Sequence, residues 1–220
     1  MRLRELLNQS GTDNELRLVR LGIDPLDRIS GGGVQPGSLL VILGPSGSGV
    51  STFALHFIMR GVADGERGAV LLTTRKRWEI LRSAKYYGMA LEEAVNAGIV
   101  RIVELENPFV AEEISSALIE LLDAIEAGDA TRVYIDTIDP LLMTLGPKEF
   151  LAQVIAPLLE ASKKRGTVTL IRCMTPRVYR RMAQFATGAF RIEWNPLMPG
   201  GGTLRRVVID KLRDVPTVLH

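Results

Sequence analysis

The sequence predicts an α/β fold: a mainly parallel central sheet with helices on both faces and a C-terminal β-hairpin. Three observations lead there. Short apolar runs of strand length alternate with stretches of helical periodicity along most of the chain. A glycine-rich loop, Gly44–Thr52, lies between one such run and a helical segment. Near the end, two strand-like stretches flank a Pro-Gly turn instead of a helix.

Residues 1–20 are polar with sparse leucines and read as a lead-in or a short helix. Gly31-Gly32-Gly33 and Pro36-Gly37 are turn signals that deliver the chain into the buried strand 38–43. The apolar segment from Phe53 to Met59 continues a helix, and 64–68 turns into a strand over 69–74. A helix over 77–87 is closed by Gly88, and 99–105 is a further strand. Ile114, Leu118, Leu121, Leu122 and Ile125 recur at helical spacing before Gly128. Arg132–Asp136 reads as a strand ending in a carboxylate. Asp139, just before Pro140, reads as a turn former. A helix over 148–165 follows, kinked or shortened by Pro157 and ended by Gly166. The strand 167–174, a helix over 176–186, and the hairpin from Ala189–Trp194 to Leu204–Asp210 complete the chain. No long repeat, low-complexity tract or linker interrupts it, so one domain over 1–220 is expected.

The loop Gly44-Pro45-Ser46-Gly47-Ser48-Gly49-Val50-Ser51-Thr52 carries the chemistry. Strand, glycine-rich loop and helix are the context of a phosphate-binding P-loop, G-x-x-x-x-G-K-[ST]. Every fixed position matches except the lysine, which is Val50. In such a loop, backbone N–H groups and a helix N-terminus cradle phosphate. The hydroxyl in the place of Ser51 ligates Mg²⁺, and the lysine offsets charge on the transferring phosphate. Val50 cannot supply that charge. The site is therefore a modified P-loop or, on the plainer reading, a glycine-rich turn that binds nothing. Asp136, at the end of its strand, is the Walker B candidate and would hold Mg²⁺ opposite Ser51.

Composition bounds the remainder. A hydrophobic content of 46% supports a sizeable core, and no apolar run reaches the roughly 18 residues of a membrane span. The N-terminus lacks the apolar stretch of a signal peptide, and a single cysteine, Cys173, fits a reducing compartment; a cytoplasmic protein without membrane insertion is expected. Two histidines and one cysteine cannot build a conventional zinc site. The net charge of +2 conceals an asymmetry: residues 163–213 hold twelve basic and two acidic side chains. That surplus suits a nucleic-acid face, a subunit edge meeting acidic or phosphate groups, or a solvated surface. Aromatic residues make up only 5% of the chain, which weighs against base stacking on single strands.

These residues resemble the RecA superfamily, and within it the KaiC-like ATPases, over nearly the whole chain. Gly22-Ile23-Asp24-Pro25-Leu26-Asp27 followed by Gly31-Gly32-Gly33 resembles the family's opening signature. Ala84–Met89 resembles its "A.SFGW" segment, and Lys211-Leu212-Arg213 its "KMR" motif. The resemblance implies a RecA-like three-layer sandwich and ATP with Mg²⁺ as cofactors. It also implies a homo-oligomeric ring or hexamer with nucleotide between subunits, Lys211 and Arg213 contacting the neighbour's phosphates. A hetero-complex with a related ATPase is the other arrangement it admits.

Three departures from the family pattern weigh on hydrolysis. Val50 stands for the Walker lysine. Thr74 and Arg75 stand where the family usually carries two glutamates, one of which activates water, and Lys76 and Arg77 follow. Thr187 stands for the acid that often precedes Gly188. The archaellum component FlaH is partly similar, since it also lacks the paired glutamates but keeps the lysine. The expectation is a nucleotide-binding or nucleotide-sensing regulatory or scaffold subunit with little or no hydrolysis, its ATP binding weak or absent. An ATPase completed in trans by Lys211 and Arg213, and a DNA-binding recombinase paralogue using Arg180 and Arg181, are the alternatives.

Overall fold

The computed structural model describes residues 18–195 and 204–213. The lead-in up to residue 17 and the Pro-Gly turn of the hairpin lie outside them. Seven strands form one sheet in the order β3-β2-β4-β5-β1-β6-β7. They are β1 (Leu39–Leu43), β2 (Gly68–Leu72), β3 (Val100–Glu104), β4 (Arg132–Asp136), β5 (Val168–Cys173), β6 (Gly188–Asn195) and β7 (Leu204–Leu212). All neighbours pair in parallel except β6 and β7, the expected hairpin.

Alternation along the strands sorts the core into two layers. Leu39 and Val41 of β1, Leu71 of β2 and Ile135 of β4 face one cluster. It includes α5 (Ala111–Glu126), α6 (Asp139–Phe150), α7 (Ala156–Arg165) and α8 (Pro176–Met182). Leu40, Ile42, Leu72 and Tyr134 face the other cluster. There, α1 (Asp24–Ile29), α2 (Val50–Ala63), α3 (Arg77–Tyr86) and α4 (Leu91–Asn96) pack. This is the three-layer α/β sandwich anticipated for a RecA-like chain.

The structure differs from the sequence expectation mainly in its helices. The segment before the glycine triplet contains a helical turn, α1, with Pro25 in its first turn, where a missing N–H costs nothing. Asp139 begins α6 instead of forming a turn, because Pro140 is likewise tolerated at a helix start. Gly146, with φ of 74° and ψ of 167°, breaks α6 before Pro147. The expected helix over 148–165 is split: a π-helical segment, Leu151–Ile155, precedes α7. That irregularity falls in the turn before Pro157, where the proline cannot donate backward. The short α4 has no counterpart in the expectation.

The opening signature braces α2 from behind. Asp27 accepts hydrogen bonds from the amides of Leu21 (2.6 Å) and Gly22 (3.0 Å). Gly22 has φ of 79°, and a Cβ there would come 2.6 Å from the carbonyl oxygen of His56 on α2. Only glycine permits that approach.

Candidate functional site

The loop leaves β1 in the middle of the sheet, at the carboxyl ends of the parallel strands, where open α/β sheets bind ligands. The Gly44 amide donates to the Cys173 carbonyl at 3.2 Å, tying the loop's root to the end of β5. Gly47 and Gly49 adopt φ of 81° and 102°, and Gly49 caps the N-terminus of α2. The first-turn amides of α2 have no intrahelical acceptors and open toward the loop.

Val50 does not replace the lysine's reach. Its side chain is buried and packs down onto Gly44, where an added Cβ would lie 2.3 Å from Val50 Cγ2. The residue has become part of the loop's apolar floor, continuous with Ile42 and Phe53. Ser48 Oγ, 2.4 Å from the same Cβ position, is buried with no hydrogen-bond partner.

Above this floor lies a cavity of about 400 Å³, within the range of small-ligand sites. Pro45, Ser46, Gly47, Gly49, Val50, Ser51 and Thr52 line it, and three arginines from distant parts of the chain complete it: Arg75, Arg172 and Arg205. Arg205 of β7 crosses over the loop, with Nη2 3.4 Å from the Gly47 carbonyl oxygen. Arg172, in β5 opposite Ile42, is only 7% exposed. Its Nη1 donates to Asp136 Oδ1 at 2.9 Å, while its buried Nε has no partner. Arg75 Nη1 stands 3.7 Å from Asp136 Oδ2, and Arg75 also contacts Ser83 Oγ (3.1 Å) and Glu79 (3.6 Å).

Asp136 is fully buried; its Oδ1 accepts two hydrogen bonds, while its Oδ2 accepts none. The Tyr134 hydroxyl donates to Oδ1 at 2.9 Å beside the Arg172 bond. Burial, with the Asp136 charge next to it, pushes the Tyr134 hydroxyl far above its ordinary value, so it remains a donor. Ser51 lines the cavity, and the Asp136 carboxylate expected to face it across a cation is flanked by two guanidiniums. The loop geometry fits a nucleotide's phosphates; the surroundings of Asp136 do not fit Mg²⁺, because two guanidiniums flank the carboxylate and would repel a dication. Among the described residues, no group of three or more His, Cys, Asp or Glu is arranged to hold a metal.

The other singled-out residues serve structure. Asp139 accepts from the amides of Met174 (2.9 Å) and Thr175 (3.1 Å), fixing the turn after β5. Lys76 pairs with Glu104 at 3.1 Å, and the same carboxylate accepts from the Arg77 amide, so only Arg75 of the basic triplet faces the cavity. Thr74 is exposed. Thr187 ties β6 to β1 through the Leu39 carbonyl, with its amide at 2.8 Å and its hydroxyl at 3.0 Å. Cys173 is buried, which pushes its thiol well up and leaves it a core residue.

Much of the C-terminal basic surplus is paired within the chain. Lys164 and Arg165 contact Glu126, Arg206 contacts Glu193, and Arg191 bridges Glu193 and Asp210. Lys211 Nζ donates to the Ala183 carbonyl at 2.8 Å, and burial lowers its ammonium pKa; Arg213 is exposed. Arg180 and Arg181 border a separate cavity of about 790 Å³ between α6 and α8, walled largely by apolar side chains such as Leu142, Met143 and Phe185.

Asp210 gives the hairpin a pH dependence. The Arg191 guanidinium, aided by the Tyr179 hydroxyl, holds its carboxyl below the usual carboxylate range. A depressed pKa stabilises above the unfolded value and is lost as pH falls through the folded one. Amide protection in β7 should therefore fall on acidification below the ordinary carboxylate range. Hydrogen exchange at neutral and acid pH should show this dependence flattened in Asp210→Asn.

Arg172 and Arg205 were missed by reading the sequence. Arg172 did leave a trace, as a lone charge inside an apolar run, where a buried guanidinium needs a partner. Arg205 left none.

Three comparisons bear on the family. A model of the KaiC ATPases matches residues 19–217. The circadian clock oscillator protein KaiC of Nostoc sp. is 27% identical over 189 residues, covering 83% of this chain and 36% of that protein. The KaiC of Synechococcus elongatus is 24% identical over 190 residues, covering 83% and 37% respectively. The chain thus spans little more than a third of the length of these relatives. The crystal structure of a KaiC-like protein from Pyrococcus horikoshii superposes with a TM-score of 0.78 at 23% identity, covering 93% of both chains. No helix among the described residues is long and apolar enough to cross a membrane. With the family model matched from Val19 to Thr217, the chain belongs to the KaiC family of RecA-type ATPase domains.

Proposed function

We propose that this chain binds ATP in the Gly44–Thr52 cavity as a nucleotide-sensing regulatory or scaffold subunit and hydrolyses it little or not at all. The observation that carries the reading is Arg75. At one of the two positions where the family pattern carries glutamates, a guanidinium faces the cavity 3.7 Å from Asp136. A guanidinium stays charged and cannot accept a proton from water. Val50 removes the lysine that would act on charge developing during transfer, and such transition-state contacts contribute most to rate. Binding is supported by the left-handed glycines and the α2 N-terminus.

The subunit is proposed as a single cytoplasmic domain acting in a homo-oligomeric ring or hexamer, or in a hetero-complex with a related ATPase. Completion of an ATPase in trans by Lys211 and Arg213 draws less support, because Lys211 is engaged by Ala183 of its own chain. The DNA-binding reading loses Lys164, Arg191 and Arg206 to internal pairs and rests on Arg180 and Arg181, which border a largely apolar cavity. Calorimetry with ATP, turnover measurement and oligomer mass determination on one preparation test the proposal. Rapid turnover, or no ATP binding at all, would overturn it.

Val50→Lys is expected to tighten ATP binding by about tenfold, the worth of one charge-assisted hydrogen bond. Turnover should stay at background, since no water-activating carboxylate is restored. A turnover rate typical of an ATPase in this variant would refute the role assigned to Arg75.

A further inference from the structure

Resting on the nucleotide-binding reading, we infer that this site holds phosphates on an arginine clamp and takes no divalent cation. Three independent features of the cavity lead there. First, its charge comes from Arg75, Arg172 and Arg205, against the carboxylates of Asp136 and Glu79. Guanidiniums present planar, fixed donors that match phosphate oxygens, and they stay charged at any working pH. Second, both oxygens of Asp136 face cations of the chain itself. Arg172 and Tyr134 bind Oδ1, and Arg75 Nη1 stands 3.7 Å from Oδ2, which accepts no hydrogen bond. A dication brought to this carboxylate would face like charge on both sides. Third, Arg172, which lines the cavity, keeps a buried Nε that nothing in the chain satisfies. Buried donors are ordinarily paired, and an orphaned guanidinium donor beside a phosphate-shaped cradle points to an anionic ligand.

The three arginines play distinct parts. Arg172 is rigidly held at the root of the loop by its bond to Asp136. Arg75 reaches in from the segment after β2, positioned by Ser83 and Glu79. Arg205 lies across the top of the loop from β7, its Cδ 3.5 Å from where a Cβ on Gly49 would be. It is exposed, so it can turn toward a ligand without loss to the core. Together they take over the charge neutralisation that a P-loop lysine and Mg²⁺ would share, in a site where Val50 is committed to the floor.

The test is calorimetric titration of the full chain with ATP, once in excess Mg²⁺ and once in EDTA. Affinities equal within about twofold, or tighter in EDTA because the free triphosphate carries more charge, are the expected result. Arg205→Ala and Arg75→Ala should each weaken binding by about tenfold, as loss of one charge-assisted contact predicts. The melting temperature of Arg205→Ala, a change at an exposed residue, should stay close to the parent's, which separates a lost contact from a lost fold. Binding that requires Mg²⁺ would overturn this inference and leave the nucleotide-binding reading standing. Binding in EDTA that neither arginine variant weakens would overturn the clamp. Absence of ATP binding in both buffers would instead remove the nucleotide-binding reading, and this inference with it.

Discussion

Asp136→Asn is expected to tighten ATP binding by about tenfold, roughly 1.4 kcal/mol. For a Walker B aspartate the opposite holds, because losing the carboxylate weakens metal coordination. The sign follows from where the carboxylate spends its charge. Its oxygens compete with an incoming phosphate for Arg172 and Arg75. Neutralising it frees those guanidiniums and raises the positive potential at the mouth of the loop. The gain in binding comes with a loss in stability of about 1–3 kcal/mol, since buried Arg172 exchanges a charged partner for a neutral one. Calorimetry reads the first effect and urea denaturation the second. Weaker binding at unchanged stability would mean that Asp136 serves a cation after all.

What the sequence disclosed, and what it hid, follows from the range of each signal. The P-loop was legible because its parts are contiguous: strand, glycines and helix occur within about twenty residues and obey local rules. The strands were legible for the same reason, since β4 and β5 are short apolar runs between turn residues. The arginine clamp was not. Arg75, Arg172 and Arg205 are spread over most of the chain and meet only because β5 pairs with β1 and β7 folds back on β6. Arg75 was read as part of a basic triplet whose other two members turn out to meet Glu104. The start of α6 was hidden by ambiguity, for Asp-Pro signals both a turn and a helix N-terminus. Val50 was read as a missing charge. Its burial against Gly44 adds that the position has gained a packing role, which no motif comparison could show.

Arg132→Ala is expected to cost about 3–5 kcal/mol, the range for removing one member of a buried ionic network. In a chain of this length that lowers the melting temperature by roughly 10 °C. Arg132 opens β4 and is 1% exposed, and its guanidinium joins three segments. Nε donates to Glu66 at 2.5 Å, and Nη1 to the carbonyls of Arg20 and Phe57 at 2.5 and 3.0 Å. The guanidinium also lies 5.1 Å from the Phe57 ring centroid, a cation–π contact that needs the same placement. Its stem runs so close to α2 that a Cβ on Gly61 would sit 2.4 Å from Arg132 Cδ. Gly61→Ala should therefore destabilise through the same side chain, and the double variant with Arg132→Ala should cost less than the sum. The consequence reaches the phosphate loop, because α2 carries the loop at its N-terminus and Arg132 anchors the helix from within and at its far end. Loss of the anchor should weaken ATP binding only as much as α2 loosens, so affinity and α2 amide protection should fall together across the three variants. Full affinity in a strongly destabilised Arg132→Ala would show that the loop is held by β1 and the Gly44–Cys173 bond alone.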